Sequence, residues 1–302
     1  MPQILKVIKS TTVTDAILTA TSVAEADHAA WSGATTYAAG DRVILTSTHK
    51  IYESLQAGNL NKAPATETLW WLEVSPTNRW KMLDLSSTTQ TVIDASDYYE
   101  FTPGQAVNAL SLINISGILS VRVRMTDPSF GVVYDQTADL TDVPSESSWY
   151  AWFFEPRTEQ TQFVVSDLPS YPNAVLRIDL TSSGTAYVGA CAFGNQRSIG
   201  IGVQHGVRLG LTDYSRKERN IFGDTELVVR AFSKRMSIDT MITNSELDNT
   251  YSLLTDLRAT PCLWIISDTY NSLSLWGFFS DFEITIAYAY YSDVSISLES
   301  LT

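Results

Sequence analysis

The sequence predicts a mainly β, multi-domain chain: a small bent β-sheet module, an antiparallel β-sandwich, and a C-terminal α+β domain with one helix on an antiparallel sheet. Three observations predict it. Aromatic residues crowd a turn-punctuated stretch at 31–80, short alternating apolar and polar runs fill 81–198, and a single helical stripe lies among strands in 199–302. At 302 residues and 44% hydrophobic content, the chain is long enough for two or three units that each bury a core.

Residues 1–30 have few turn formers and one amphipathic stretch, Val13, Ile17 and Leu18 at helical spacing, with Thr14 and Asp15 near its start. They are expected to form an arm. Residues 31–80 are punctuated by Gly33, Gly40, Gly58 and Pro64. About fifty residues is marginal for a core, so large aromatic rings must supply most of the burial.

Residues 81–198 predict the sandwich, jelly-roll-like in its many short strands. The runs are ALSLINI, ILSVRVRM, GVVYDQT, WYAWFF, TQFVVSDL, AVLRIDLT and AYVGACAF. Val121, Val123 and Met125 face one way, Arg122 and Arg124 the other. The phrase AVLRIDLTSSGTAYVGACAFG reads as two strands joined by a Ser-Ser-Gly turn.

Residues 199–302 open with GIGVQHG, a flexible connector, followed by the long strand-like run ELVVRAFSKRMSIDTMI. NSELDNTYSLLTDLRA reads as a helix with Asn244 or Ser245 as N-cap and Leu247, Tyr251, Leu254 and Leu257 on one stripe; Pro261 stops it. Four further strands are expected in PCLWIIS, SLSLWGFF, DFEITIAYAY and DVSISLES. The last alternates Val294, Ile296 and Leu298 against Ser295, Ser297 and Glu299, which ties it into a sheet.

The chain holds 20 Lys and Arg against 33 Asp and Glu, a net charge of -13, which repels phosphate backbones and excludes a general nucleic-acid binder. Its one basic cluster, Arg216-Lys217-Glu218-Arg219 with Arg230, Lys234 and Arg235, is interrupted by acids and is expected to be solvated or subunit-facing. The chain has no run of about eighteen apolar residues and no apolar stretch near its start of signal-peptide length. This predicts a soluble chain made in the cytoplasm, with no membrane insertion. Cys191 and Cys262 sit in apolar strand-like runs and read as buried free thiols.

No catalytic, cofactor-binding or metal site assembles in the sequence. His28, His49 and His205 show no metal-ligand spacing, the third glycine of GIGVQHG falls one residue late for a dinucleotide fingerprint, and neither a phosphate-loop lysine motif nor a G-x-S-x-G elbow is present. Asp268, Asp281 and Glu283 are the carboxylates a glycosidase pair would draw on, but turns or the polar side of a strand account for each. The chain is expected not to be an enzyme.

The series Trp31, Tyr37, Gly40-Asp41, Val43, Tyr52, Pro64, Trp70 resembles the chitin-binding type of carbohydrate-binding module, families five and twelve, over residues 31–72. The resemblance implies a bent three-stranded sheet in which some rings form the core and others stack on sugars. The aromatic-rich segment that follows the central tyrosine in such modules is replaced here by Glu53-Ser54-Leu55-Gln56 after Tyr52. Trp70 and Trp71 are the substitutes, one ring buried and one exposed by strand alternation, so Trp70, Trp71 and Tyr52 are the candidate glycan-binding residues. Trp31, Tyr37 and one of the tryptophan pair are assigned to the core.

Over the whole chain, the segments TVTDAILTATSVAEADHAAWSGATTYAAGDRVI, Thr77–Met82, LRATPCLWIIS and WGFFSDFEITIAY are similar to a family of tailed-bacteriophage virion proteins. The resemblance implies a structural protein of the tail, baseplate or receptor-binding apparatus, located in the virion. Its implied partners are other tail or baseplate proteins, copies of itself in a symmetric homo-oligomer, and host cell-surface polysaccharide as a further candidate. A glycan-binding adhesin and a polysaccharide depolymerase are the alternatives. Arg79 and Trp80, in the Thr77–Met82 segment, are the candidate contacts to another subunit, with an inter-domain hinge or a plain linker as the other readings.

Overall fold

The structure is a computed structural model that describes residues 3–86, 88–141, 160–204, 206–219, 224–267 and 273–301. It is mainly β and antiparallel, as expected. The predicted strand in WYAWFF, His205 and Asp268 lie outside the described residues. Among those described, no helix is long and apolar enough to cross a membrane.

The central sheet is ordered β10 (Gly131–Asp139), β9 (Ala109–Asp127), β12 (Val175–Gly194), β8 (Thr91–Phe101) and β2 (Leu18–Thr21), with β11 (Gln162–Val165) also on β9. Its long strands bend. β9 turns at Gly117, with φ +75°, where an added Cβ would lie 3.2 Å from the Thr185 carbonyl oxygen; β8 turns at Ala95, with φ +53°. The register of β12 shifts over Thr181–Tyr187 on both neighbours. The two strands expected around Ser-Ser-Gly are therefore one bent strand, as are ALSLINI and ILSVRVRM. A bulge resets the alternation without ending the ladder, which is why each half reads as a strand of its own.

Bending folds the sheet into two facing leaves. The outer leaf holds Ser96–Phe101, Ile118–Asp127, Val175–Ser182, β10 and β2; the inner leaf holds Thr91–Asp94, Ala109–Ser116, Tyr187–Gly194 and β11. Val121, Val123, Met125, Ile178 and Phe101 from one leaf share a buried cluster with Leu110, Leu112, Val188 and Phe193 from the other. The Phe101 and Phe193 rings meet at 4.8 Å. This interior forms because alternate residues of each strand turn toward it.

The second sheet runs β13 (Gln196–Ile199), β1 (Leu5–Lys9), β19 (Cys262–Ile265), β20 (Ser274–Thr285), β21 (Tyr291–Ser300), β18 (Phe232–Thr243) and β14 (Gly202–Val203), with β15 (Arg208–Asp213) also on β18. The small side chains Ala109, Ala190 and Ala192 on the inner leaf let Ile8, Leu263, Ile265 and Trp276 of this sheet pack close. Gly194 marks a close approach of the two sheets: a Cβ there would stand 2.2 Å from the Lys9 carbonyl oxygen. The opposite face is covered by α2 (Leu247–Asp256), which buries Leu254 against Trp264, Ile238 and Ile296.

Several local expectations are corrected. The arm is not separate, because β1 sits between β13 and β19 while β2 extends the central sheet; only a turn precedes Leu18, since Val13, Ile17 and Leu18 pack against the sandwich core. GIGVQHG contributes β14 to the sheet edge, with Val203 N–H donating to the Gln3 carbonyl at 2.7 Å. SLSLWGFF and DFEITIAYAY fuse into β20, whose pairing with β21 slips between Phe279 and Asp281. ELVVRAFSKRMSIDTMI divides into β17 (Thr225–Val228) and β18; β17 pairs with β16 (Arg216–Arg219). The expected helix caps are replaced by a 3-10 turn at Asn244–Glu246, where the Asn244 side-chain amide instead donates to the carbonyls of Tyr288 at 3.1 Å and Ala289 at 3.0 Å. Tyr251 leaves the buried stripe for the surface, edge-on to Phe282 at 5.8 Å.

Candidate functional site

The aromatic module is a three-stranded sheet of β4 (Arg42–Leu45), β5 (Lys50–Ser54) and β7 (Trp71–Pro76), flanked by the short pair β3 (Thr36–Tyr37) and β6 (Asn59–Leu60). Gly40, with φ +88°, and Asp41 make the first turn, the Asp41 carboxylate accepting from the Ala38 N–H at 2.7 Å. This turn places Tyr37 edge-on to Trp71 at 5.2 Å. Tyr37, Val43, Tyr52 and Trp71 close the core, with Trp31, Leu45 and Trp70 packed half-buried around it. The Trp71 indole N–H donates to the Lys62 carbonyl at 2.8 Å, and the buried Asn59 amide donates to Ser54 Oγ at 2.9 Å. The Trp71 N–H and the Asn59 NH2 are thus paired inside a very small interior, while the buried Asn59 Oδ1 has no hydrogen-bond partner.

This geometry removes two candidate sugar-stacking residues. Tyr52 is 5% and Trp71 3% exposed, so neither presents a face to a ligand. Burial won because a module of about fifty residues must spend its large rings on filling its middle. Trp70 is left half-exposed just ahead of β7, its ring 5.6 Å from the Lys62 ammonium, beside Leu69, which is 81% exposed. Glu53, in the segment that departs from the module pattern, accepts from Arg42 Nε at 2.8 Å.

Arg79 and Trp80 stand on α1 (Asn78–Lys81), where module and sandwich meet, and they act within the chain. The Glu25 carboxylate, 8% exposed, accepts from the Thr77 hydroxyl at 2.9 Å, faces His49 Nδ1 at 2.9 Å and lies 3.7 Å from the Arg79 guanidinium. His49 Nε2 faces Asp15 Oδ1 at 2.8 Å. Arg79 Nε also donates to the Val23 carbonyl at 2.8 Å, and the Trp80 ring stacks on His49 while packing against the sandwich core. Asn78 donates to the Val92 carbonyl at 2.9 Å and accepts its N–H at 2.7 Å, as a β-ladder residue would. Segments 15–27, 49 and 77–80 are thereby clasped. Arg79 and Trp80, the candidate subunit contacts, are engaged within the chain by this clasp at the junction of module and sandwich. Sequence reasoning missed Glu25 and His49, whose partners lie 24 to 52 residues away in the chain.

Asp281 and Glu283 project from β20 opposite Ser297 and Ser295 and are exposed. A separate cleft of about 700 Å³ lies between β1, β13 and α2, lined by Lys9, Arg197, Gln105, Asn249, Ser252 and Asp256. Asp281 and Glu283 do not border it, and Asp256 is the carboxylate among its lining residues. Burial pushes the Cys191 and Cys262 thiols up to about 12, which keeps them protonated. Among the described residues, no group of His, Cys, Asp and Glu is arranged to hold a metal ion. No family model matches the chain, and no curated protein matches it.

Proposed function

We propose that the chain is a non-enzymatic structural component of a bacteriophage tail, baseplate or receptor-binding apparatus that assembles with other virion proteins. The observation that carries the reading is the clasp: Glu25 and His49 fix the module to the sandwich, so it is a rigid projection rather than a tethered sampler. The segments that resemble virion proteins also lie at positions that hold shape. Trp80 closes the clasp, Cys262–Ile265 forms a central strand, and Trp276 packs between the two sheets. A subunit that carries load between neighbours needs its parts held in register. The test is a density map of intact phage particles together with mass spectrometry of their proteins. The reading expects this chain at a defined position and in a symmetric copy number, and its absence from the particles overturns it.

A second reading rests on Trp70: the module contacts host-surface glycan through this half-exposed indole beside Lys62. An aromatic face offers apolar area to sugar C–H groups at low conformational cost. Titration with host-envelope polysaccharide is expected to show binding that Trp70→Ala abolishes, and equal binding by both proteins removes the module from this role.

A further inference from the structure

The basic cluster is absent from the clasp, the module core and the cleft. It lies on a two-stranded ribbon: β15 and the start of β18, continued past Tyr214 and Ala231 by β16 and β17. Of the side chains described along it, Arg208, Arg216, Lys217, Arg230, Lys234 and Arg235 are basic and Asp213, Glu218 and Asp224 acidic, a net of +3 in a chain of net charge -13. The ribbon also exposes Leu209, Leu211, Leu227, Val229 and Phe232, Val229 at 86%. An isolated two-stranded ribbon is marginal in water, and contiguous exposed apolar side chains mark a surface that another surface covers.

A complementary surface lies at the other end of the same strands. The turn at 286–290, between β20 and β21, exposes Ile286, Tyr288 and Tyr290, with Tyr291 beside them. Asn244 holds this turn in place: its side chain donates to the Tyr288 and Ala289 carbonyls, and its N–H donates to the Tyr290 carbonyl at 3.0 Å. Exposed Glu246 and Asp248 start the adjoining helical segment, and Glu283 and Asp293 flank the turn on its strands. Four acids, Glu246, Asp248, Glu283 and Asp293, thus stand around the turn, while Glu299 lies at the ribbon end of β21. One surface is basic and aliphatic, the other acidic and aromatic. This pairing suits ion pairs, and Arg or Lys over tyrosine rings.

The two surfaces are too far apart to meet within one molecule. β18 pairs with β21 from Arg235↔Glu299 at the ribbon end to Thr243↔Tyr291 at the turn end. Eight residues of strand separate them by about 26 Å. Unlike surfaces at opposite ends of one body join head to tail, which builds rings or filaments.

We propose that the basic ribbon of one copy seats on the tyrosine turn of a second copy. The proposal deepens the structural-subunit reading and rests on it for many copies being present together.

The test uses the full chain, mixed from isotope-labelled and unlabelled preparations near millimolar concentration at low salt and treated with a zero-length carbodiimide cross-linker. Peptides of mixed isotope joining Lys217 or Lys234 to Glu246, Asp248, Glu283 or Asp293 are expected. Their yield should fall at least about tenfold in Leu227→Asp/Val229→Asp and, independently, in Tyr288→Ser/Tyr290→Ser. These positions are exposed, so circular dichroism should match the parent chain. Salt at about 1 M, with a screening length near 3 Å, should suppress the links as well. Links confined to one isotope, ribbon joined to ribbon, or yields indifferent to both variant pairs overturn the proposal. If the chain assembles by another surface, this interface falls while the subunit reading stands. Absence of the chain from particles removes that reading separately.

Discussion

The imidazole of His49 lies against the indole of Trp80, ring centroids 4.2 Å apart and planes 18° from parallel. One ring belongs to the turn between β4 and β5 of the module, the other to the helix that enters the sandwich. Each His49 nitrogen also faces a carboxylate, so this side chain both packs and bonds across the junction.

Replacing His49 by Ala leaves the buried Glu25 carboxylate without one of its donors and uncovers a face of Trp80. The expected loss is about 1–3 kcal/mol in urea denaturation, with faster proteolysis between module and sandwich. His49→Phe keeps the ring contact without the bonds and should fall between the two. Unchanged stability and protease resistance in His49→Ala would show that the clasp does not hold the module.

Trp70 and Trp71 are neighbours with opposite expected outcomes. Trp71→Ala removes the largest side chain from a core of four buried residues and should cost about 3–5 kcal/mol, enough to unfold the module. Trp70→Ala should leave it folded. Near-ultraviolet circular dichroism separates the two, and equal damage would contradict this division of roles.

At Gly194, alanine has no room, because its Cβ would stand 2.2 Å from the Lys9 carbonyl oxygen. Gly194→Ala is expected to push β1 from the inner leaf and destabilise the body by about 1–3 kcal/mol or more. A thermal midpoint equal to that of the parent chain would mean the two sheets are not in such close contact.

Both cysteines should resist thiol reagents while the chain is folded. With thiols pushed up to about 12, the thiolate fraction at pH 8 is about one in ten thousand. Above about pH 8.5 an unfolded thiol loses its proton while the folded one keeps it, so folding stability should decline as pH rises. Rapid alkylation of the native protein, at the rate seen in denaturant, would rule this burial out.

Much of the candidate site was legible in the sequence. The sequence places Trp31, Tyr37 and one of the tryptophan pair in a small aromatic interior; Tyr37 and Trp71 are buried there, Trp31 packs half-buried at its edge, and Tyr52, a glycan-binding candidate by sequence, is buried as well. Which of the pair would face inward was not legible, because alternation names two faces without saying which is covered. Glu25 and His49 carried no signal. An acid and a histidine become a clasp only when a distant turn and the arm are brought together, and no local period encodes that distance.

The face each residue takes within a strand is written in the local alternation of the chain. Val121, Val123 and Met125 turn inward and Arg122 and Arg124 outward because backbone geometry alternates side chains whatever the partner strand is. That consecutive runs are one bent strand, that the arm enters both sheets, and that Arg79 and Trp80 join the clasp emerges from long-range packing. Strand partners and bulges are chosen by contacts between residues far apart in the chain, where burying a shared interior outweighs any local preference.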